Sequence, residues 1–412
     1  DIPQTAAIVD LAGISLSGLP YVIGEVYTIS SQGLVIIYVS QSGTGNCSSW
    51  AESCDLQSAL TMAASGDEIW VAAGTHKPTA DADREATFQL KEGVAIYGGF
   101  AGTEDIREQR NFVANETILS GDLLGNDNDN VEYDEPTRAD NSYHVVTGAN
   151  NALLDGFTIT AGSAYDSGGG IYNLSSSPIL TNIILRHNLA LNRGGGMVNF
   201  MNSGPILSNV KFDTNSAGGN GGGIYNDSSN PSLTDVTFIG NSAGYYGGGM
   251  FSYNYYSPTY PQLTNVTFSD NSAVRGGGMY NSASSSSLKN VTFIGNFAVE
   301  QGGGIDNSNE ANLTLTNVTF SNNSAGINGG GMHNSQSSPI VINTIFWGNM
   351  ASYSGAQIYN FSGSPGAAIV SDSIVQGGYP GGTNIITTDP KLGTFGDYGG
   401  LTQTLPILDG SS

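Results

Sequence analysis

LTNVTFSDNSAVRGGGMYN, residues 263–281, recurs with small variations along the chain. Its glycine triplet starts at Gly168, Gly194, Gly221, Gly247, Gly276, Gly302 and Gly329, so successive copies lie 26, 27, 26, 29, 26 and 27 residues apart. A second column, Asn188, Asn215, Asn241, Asn271, Asn296, Asn323 and Asn349, keeps step with it. Phe stands three residues earlier in six of these copies, and Leu185 in the first. A third column, Asn182, Asn209, Asp235, Asn265, Asn290, Asn317 and Asn343, lies six residues before the second. A period of this length marks a solenoid.

Within LTNVTFSDN, Leu263, Asn265, Thr267 and Ser269 alternate with Thr264, Val266, Phe268 and Asp270, which is strand periodicity. GGGMYN or GGGIYN reads as a second short strand, and the Ser/Pro-rich stretch before the next Leu or Ile as a third. The glycines and β-branched runs exclude helix. Three short strands cannot bury a core alone, but coils stacked at ~4.8 Å can. The expected fold is therefore all-β, a right-handed parallel β-helix solenoid with coils of about 26 residues. Val266, Phe268 and their counterparts should form the core column, glycines the corners, and asparagines side-chain ladders from coil to coil. The repeat itself generates N-x-S/T sequons such as those at Asn265 and Asn290, so no glycosylation is inferred from them.

The Phe-x-x-Asn and Gly-Gly-Gly-Met/Ile-Tyr-Asn pattern resembles the repeats of chlamydial polymorphic outer membrane proteins and of bacterial right-handed β-helix surface proteins, over roughly residues 150 to 365. The resemblance implies the pectin-lyase-like architecture and a role as an adhesin or surface protein without known catalysis. Residues 47 to 160, with SGDEIWVAAGTHKPT, VAIYGGFAGTE, NSYHVV and LDGFTITAG, resemble the amino-terminal part of large bacterial exported β-helix proteins. DPKLGTFGDYGGLTQTLPILDGSS resembles the segment that closes their helix before a cell-surface anchor, which is not present in this sequence.

Four parts follow: a leader, 1–34; irregular first coils, 35–160; regular repeats, 161–365; and a closing segment, 366–412. In DLQSALTMAASG, Asp55 is an N-cap, Leu56, Leu60 and Ala63 share a face, and Gly66 is a stop, which predicts a short helix capping the first coil. The leader carries Ile8, Val9, Leu11, Ile14, Leu16, Tyr21, Val22 and Ile23 in apolar runs outside the repeat. Two readings stand: strands covering the first coil, or an assembly segment that pairs with a neighbouring subunit.

The 412 residues include 58 glycines and only 12 Lys plus Arg, with a net charge of −23. Nucleic acid and anionic membranes, which need basic patches, are excluded as partners. No apolar run reaches the ~18 residues of a membrane span. The chain opens on Asp1 without a basic signal region, which reads as a processed terminus of a protein exported by a cleaved signal to the cell surface or beyond. In that setting Cys47 and Cys54 can close a short disulfide loop, or remain free thiols.

Pectin-lyase-like catalysis would need carboxylates holding Ca²⁺ beside an Arg or Lys base, or two or three carboxylates facing one bond. Asp213, Asp227, Asp235, Asp270, Glu300, Asp306 and Glu310 stand mostly in different columns, and Arg186, His187, Arg193, Lys211, Arg275 and Lys289 are scattered. Ser, Thr and Asn fill most other outward positions, as on a solvated face. The densest acidic run offers Asp122, Asp127, Asp129, Glu132 and Asp134, a possible calcium site or a solvated loop, without the EF-hand glycine and terminal glutamate. No other cofactor is indicated. The four histidines lack metal-ligand spacing and read as structural or surface residues. Tyr245, Tyr246, Tyr253, Tyr255, Tyr256 and Tyr260 cluster in the longest repeat, as a contact surface for carbohydrate or another cell-surface ligand or as rings packed around an insertion. The expected function is a non-enzymatic extracellular subunit that self-assembles end to end into a surface fibre. The alternatives are a monomeric adhesin and a polysaccharide lyase or hydrolase.

Overall fold

The structure is a computed structural model that describes residues 34–410 apart from 129, 133 and 363–365. The leader residues Ile8, Val9, Leu11, Ile14, Leu16, Tyr21, Val22 and Ile23, and Asp129 of the acidic run, lie outside the described residues. Three sheets wind up a parallel β-solenoid, with sixteen, ten and eight strands among the described residues. The long sheet contains Leu153–Thr160, Ile179–Arg186, Ile206–Asp213, Ser232–Ile239, Gln262–Ser269, Ser287–Ile294 and Thr314–Ser321. The second takes the segment after each glycine triplet, such as Met279–Ser282. All paired strands of the three sheets are parallel, and along the regular coils of the long sheet they keep register, for example Leu263 with Leu288 and Phe268 with Phe293.

The third sheet corrects the expected position of the third strand. It is built from the short Ser-Ala segment after the asparagine corner, as in Ser216–Ala217 and Ser242–Ala243, and not from the Ser/Pro-rich stretch. That stretch is a corner: Ser175, Ser228 and Ala283 there have φ of 49°, 52° and 52°, and proline offers no N–H to a ladder.

Uninterrupted alternation along LTNVTFSDN also gives way. Leu263, Val266 and Phe268 all belong to the core, although the first two are three residues apart. Asn265 between them has φ 55°, and this single left-handed residue shifts the phase of the strand. Asn182, Asn209, Asp235, Asn290, Asn317 and Asn343 repeat the conformation, with φ between 49° and 58°. Asn and Asp tolerate that region better than other side chains, so this column is a backbone requirement as well as a ladder.

Inside, Phe212, Phe238, Phe268, Phe293, Phe320 and Phe346 stack with centroids 4.5 to 4.8 Å apart and planes within 7°. Beside them runs the fully buried asparagine ladder. Asn215 donates from Nδ2 and from its backbone N to Oδ1 of Asn241, at 2.9 and 3.0 Å, and its Nδ2 also reaches the Leu185 carbonyl at 2.9 Å. A third ladder on the second sheet links Asn173, Asn199 and Asn226, then Asn281, Asn307, Asn334 and Asn360. The glycine triplet is sterically fixed: Gly276 has φ 65°, and a Cβ on Gly278 would lie 2.7 Å from the Gly304 carbonyl oxygen and 2.9 Å from the Phe293 ring.

The helix spans Leu56–Met62, with Asp55 accepting from Ser58 N and with Leu56, Ala59 and Leu60 buried. It ends before Gly66 because Ala63, also buried, already turns to extended backbone. Cys47 and Cys54 are disulfide-bonded, with Cα atoms 4.8 Å apart. Their loop hydrogen-bonds to the outer edge of the first strand, Ile36–Val39, through Tyr38 N to Cys47 O and Cys54 N to Tyr38 O. At the other end, Thr383–Ile386 is paired, among the described residues, with Ile369–Val375 alone. The tail beyond it forms antiparallel bridges between Leu392 and Ile407 and between Gly396 and Thr404, and returns to the long sheet, where Thr267 Oγ1 donates to Gln403 O at 2.7 Å. No described helix is long and apolar enough to cross a membrane.

Candidate functional site

A groove of about 580 Å³ runs over the outer face of the long sheet. Its floor is the outward side of four coils, with Thr158, Ile184, Lys211 and Thr237 in one column and Asn182, Asn209 and Asp235 in the bend column. Phe112, Val113 and Glu116 from an irregular loop wall one end, and Leu401 and Gln403 of the tail the other. Farther along the same face, Thr267, Ser269, Thr292 and Ser321 are buried although they alternate with core residues. With the tail bonded to Thr267, this stretch of Ser and Thr is not the solvated face the sequence suggested.

Glu116 and Lys211 in the groove, and Arg110 near it, form ion pairs. Arg110 binds Asp155 and donates to the Gly98 carbonyl, with both charged side chains largely buried. Glu116 accepts from Thr158 Oγ1 at 2.9 Å and lies 3.4 Å from Arg186. Lys211 Nζ lies 2.6 Å from Asp213. The bend ladder changes partners here. Asn209 donates back to Asn182, and Asn265 donates back to Asp235. Asp235 has no amide to donate to Asn209, so two acceptor side chains meet in the floor and offer oxygens to hydroxyl or ammonium donors.

The acidic run does not converge on one point. Asp122 accepts from the backbone N–H groups of Gly125, Asn126 and Asp127. Asp127 accepts from Asn141 Nδ2 at 2.8 Å and lies 3.8 Å from Arg138; burial pushes its carboxyl above the ordinary range, against the pull of these two partners. Glu132 and Asp134 are exposed. Among the described residues, no three of His, Cys, Asp and Glu come together as a metal cluster.

The tyrosines divide. Tyr246 and Tyr253 pack against a stacked outer column of Tyr225, Phe251 and Tyr280, with centroid spacings of 5.0 and 5.5 Å along the column. Burial pushes the Tyr225 phenol up to about 12. Tyr245, Tyr255, Tyr256 and Tyr260 stay exposed.

One constellation contradicts the expected scatter. In the outward column of the second sheet, Tyr280 is followed by Asp306 and His333. The buried Asp306 carboxylate takes Arg275 Nε on one oxygen and His333 Nδ1 on the other, both at 2.8 Å. The sequence carries a signal for it, GGGIDN and GGGMHN where the other copies have Tyr, Val or Phe in the fifth place. Lys211 has the same kind of signal, as the lysine in a column where most copies have Thr. Arg110, Glu116 and the tail residues carry none, because they lie outside the repeat.

Residues 209–227 match the family model of the Chlamydia polymorphic membrane protein repeat. No curated protein is significantly similar to the chain. Among solved structures it is similar to pectate lyase Pel9A, with 15% identity over 78% of each chain and a TM-score of 0.43. It is also similar to an endo-xylogalacturonan hydrolase from Aspergillus tubingensis, with 11% identity over 85% of this chain and 99% of that one and a TM-score of 0.26. Its three parallel sheets make the chain a parallel β-helix solenoid, and the matched stretch is one coil's worth of a repeat like that of the polymorphic membrane proteins.

Proposed function

We propose that this chain is an exported, non-catalytic β-helix of the cell exterior whose copies join end to end into a surface fibre. The unlike ends of the long sheet carry the reading. The first strand's edge is occupied by the disulfide loop, whereas Thr383–Ile386 pairs on one side only among the described residues, with Ile369 and Ile386 exposed beside it. An unpaired parallel edge is a template for an added strand, and the apolar leader has a composition suited to supply one. Of the groove's two carboxylates, Glu116 is ion-paired and Asp235 accepts from the Asn265 amide, which favours a scaffold over a catalyst. Electron microscopy of the purified native protein tests this: filaments are expected, and single rods once the leader, residues 1–34, is removed. Single rods from the intact chain at every concentration would overturn it.

The groove supports a second reading, a monomeric adhesin that takes a glycan over Asn209 and Asp235. Glycan binding by single rods, lost in Asp235→Leu, would favour it. Polymer cleavage abolished by Lys211→Ala would favour a lyase or hydrolase instead.

A further inference from the structure

Ten Asn-x-Ser/Thr sequons stand in the sequence, and the structure divides them. Asn173, Asn226, Asn265, Asn290, Asn317 and Asn360 lie in strands, and each donates Nδ2 to a neighbouring side chain. Asn115 donates Nδ2 to the Gly99 carbonyl at 3.2 Å, and the Thr117 of its sequon is buried. Asn46, Asn312 and Asn322 differ: they lie outside the strands, are exposed, and have no hydrogen-bond partner for Nδ2 among the described residues. In two of them the fold uses the amide oxygen alone. Asn46 Oδ1 accepts from Ser48 N at 3.1 Å and from Ser48 Oγ at 2.6 Å, so the hydroxyl that completes the sequon is already bonded to the amide it serves. Asn312 Oδ1 accepts from Ser338 N of the next coil at 2.6 Å.

We infer that Asn46, Asn312 and Asn322 are attachment sites for N-linked oligosaccharide and that the other seven asparagines are not. This rests on the proposed location outside the cell, where such sequons mark surface loops. The donor is an oligosaccharide activated as a phosphate ester at its anomeric carbon. Nδ2 attacks that carbon and a nitrogen–carbon bond forms. The carbon–oxygen bond to phosphate breaks, the phosphate leaves with the bonding electrons, and Nδ2 gives up one proton to solvent. Oδ1 takes no part in the new bond, so Ser48 N and Ser338 N keep their acceptors and the fold is retained. A sequon held in a strand ladder cannot bend into a transferase. Transfer before folding leads to the same division: Asn173 and Asn226 are wholly buried, and a sugar there leaves no room for coils stacked at ~4.8 Å.

The native protein, recovered from the cell exterior, is digested with pepsin, and its peptides are sequenced by electron-transfer mass spectrometry. Peptides containing Asn46, Asn312 and Asn322 should carry whole sugar residues on the asparagine, and the other seven asparagines none. In the native host, Ser48→Ala and Thr314→Val remove the hydroxyl of a sequon, and each should lose the sugar at its own site alone. Unmodified asparagine at all three sites would overturn the inference and, in a protein recovered outside the cell, leave export standing. A sugar on one of the other seven asparagines would also overturn it, as would one on a Ser or Thr hydroxyl in place of Asn46 or Asn312. A protein found only inside the cell would overturn the location and the inference with it.

Discussion

Arg275 and Asp306, on consecutive coils, form a 2.8 Å ion pair in which the carboxylate is wholly buried and the guanidinium reaches the surface. Removing a buried ion's partner costs more than replacing the ion by an apolar group of similar size. Arg275→Ala should therefore destabilise the solenoid by about 3 kcal/mol, and Asp306→Tyr, which restores the usual residue of the column, by less. Urea unfolding of both variants checks the order, and the reverse order would remove the ion pair from the account.

The two longest asparagine ladders should respond differently to deletion. Asn271 accepts from Asn241 N and Nδ2, and donates to Phe238 O and Asn296 Oδ1, all in the buried interior. Asn271→Ala leaves several of these groups unpaired and should cost about 3 kcal/mol or more. Asn265 sits on the partly solvated bend at φ 55°. Asn265→Gly, free in that conformation, should cost about 1 kcal/mol or less, whereas Asn265→Val should be clearly worse. Chemical denaturation of the three variants gives the comparison.

Acid should weaken the fold through two histidines. Burial lowers the His76 and His144 values below the ordinary 6.5, although carbonyl hydrogen bonds to Ala72 and Gly168 oppose it. Between each lowered value and 6.5 the unfolded chain binds more protons, so stability falls as pH drops from 6.5 toward the folded-state value. Melting temperature should decline over that interval. His144→Phe keeps a ring against Tyr172, 4.6 Å away in the native pair, and should flatten the decline.

The returning tail should shield the outer face of the long sheet. Ser269 is buried on that face, beside the Thr267 contact with Gln403. A cysteine at position 269 should react with a maleimide at least about tenfold more slowly in the intact chain than after removal of residues 391–412, if local opening limits access. Equal rates would mean that the tail does not cover the face.

The coil was legible because its side chains recur in columns. Gly276, Phe268 and Asn271 each declare a place in the turn by period alone. What period could not convey was backbone sign: a left-handed Asn265 inside a strand moves Leu263 to the core side, which strict alternation forbids. The same blindness put the third strand in the Ser/Pro corner instead of at Ser-Ala. The groove was illegible for another reason. Phe112, Glu116, Leu401 and Gln403 come from segments without repeats, distant in sequence, and only the folded chain brings them over Lys211. Departures from the repeat, at Lys211, Asp306 and His333, were the informative letters, and they are visible only once the repeat is taken as the baseline.

Because every strand lies across the solenoid axis, a pull along that axis loads the bonds between coils head-on, one layer at a time. Strands drawn along their own length would instead share a load in shear. This solenoid should therefore yield by peeling. Each coil of about 27 residues that comes away would pay out roughly 90 Å of chain at ~3.4 Å per residue, and the Phe stack and asparagine ladders would hold the next layer until its turn. Under tension such a solenoid lengthens in steps and sheds force gradually.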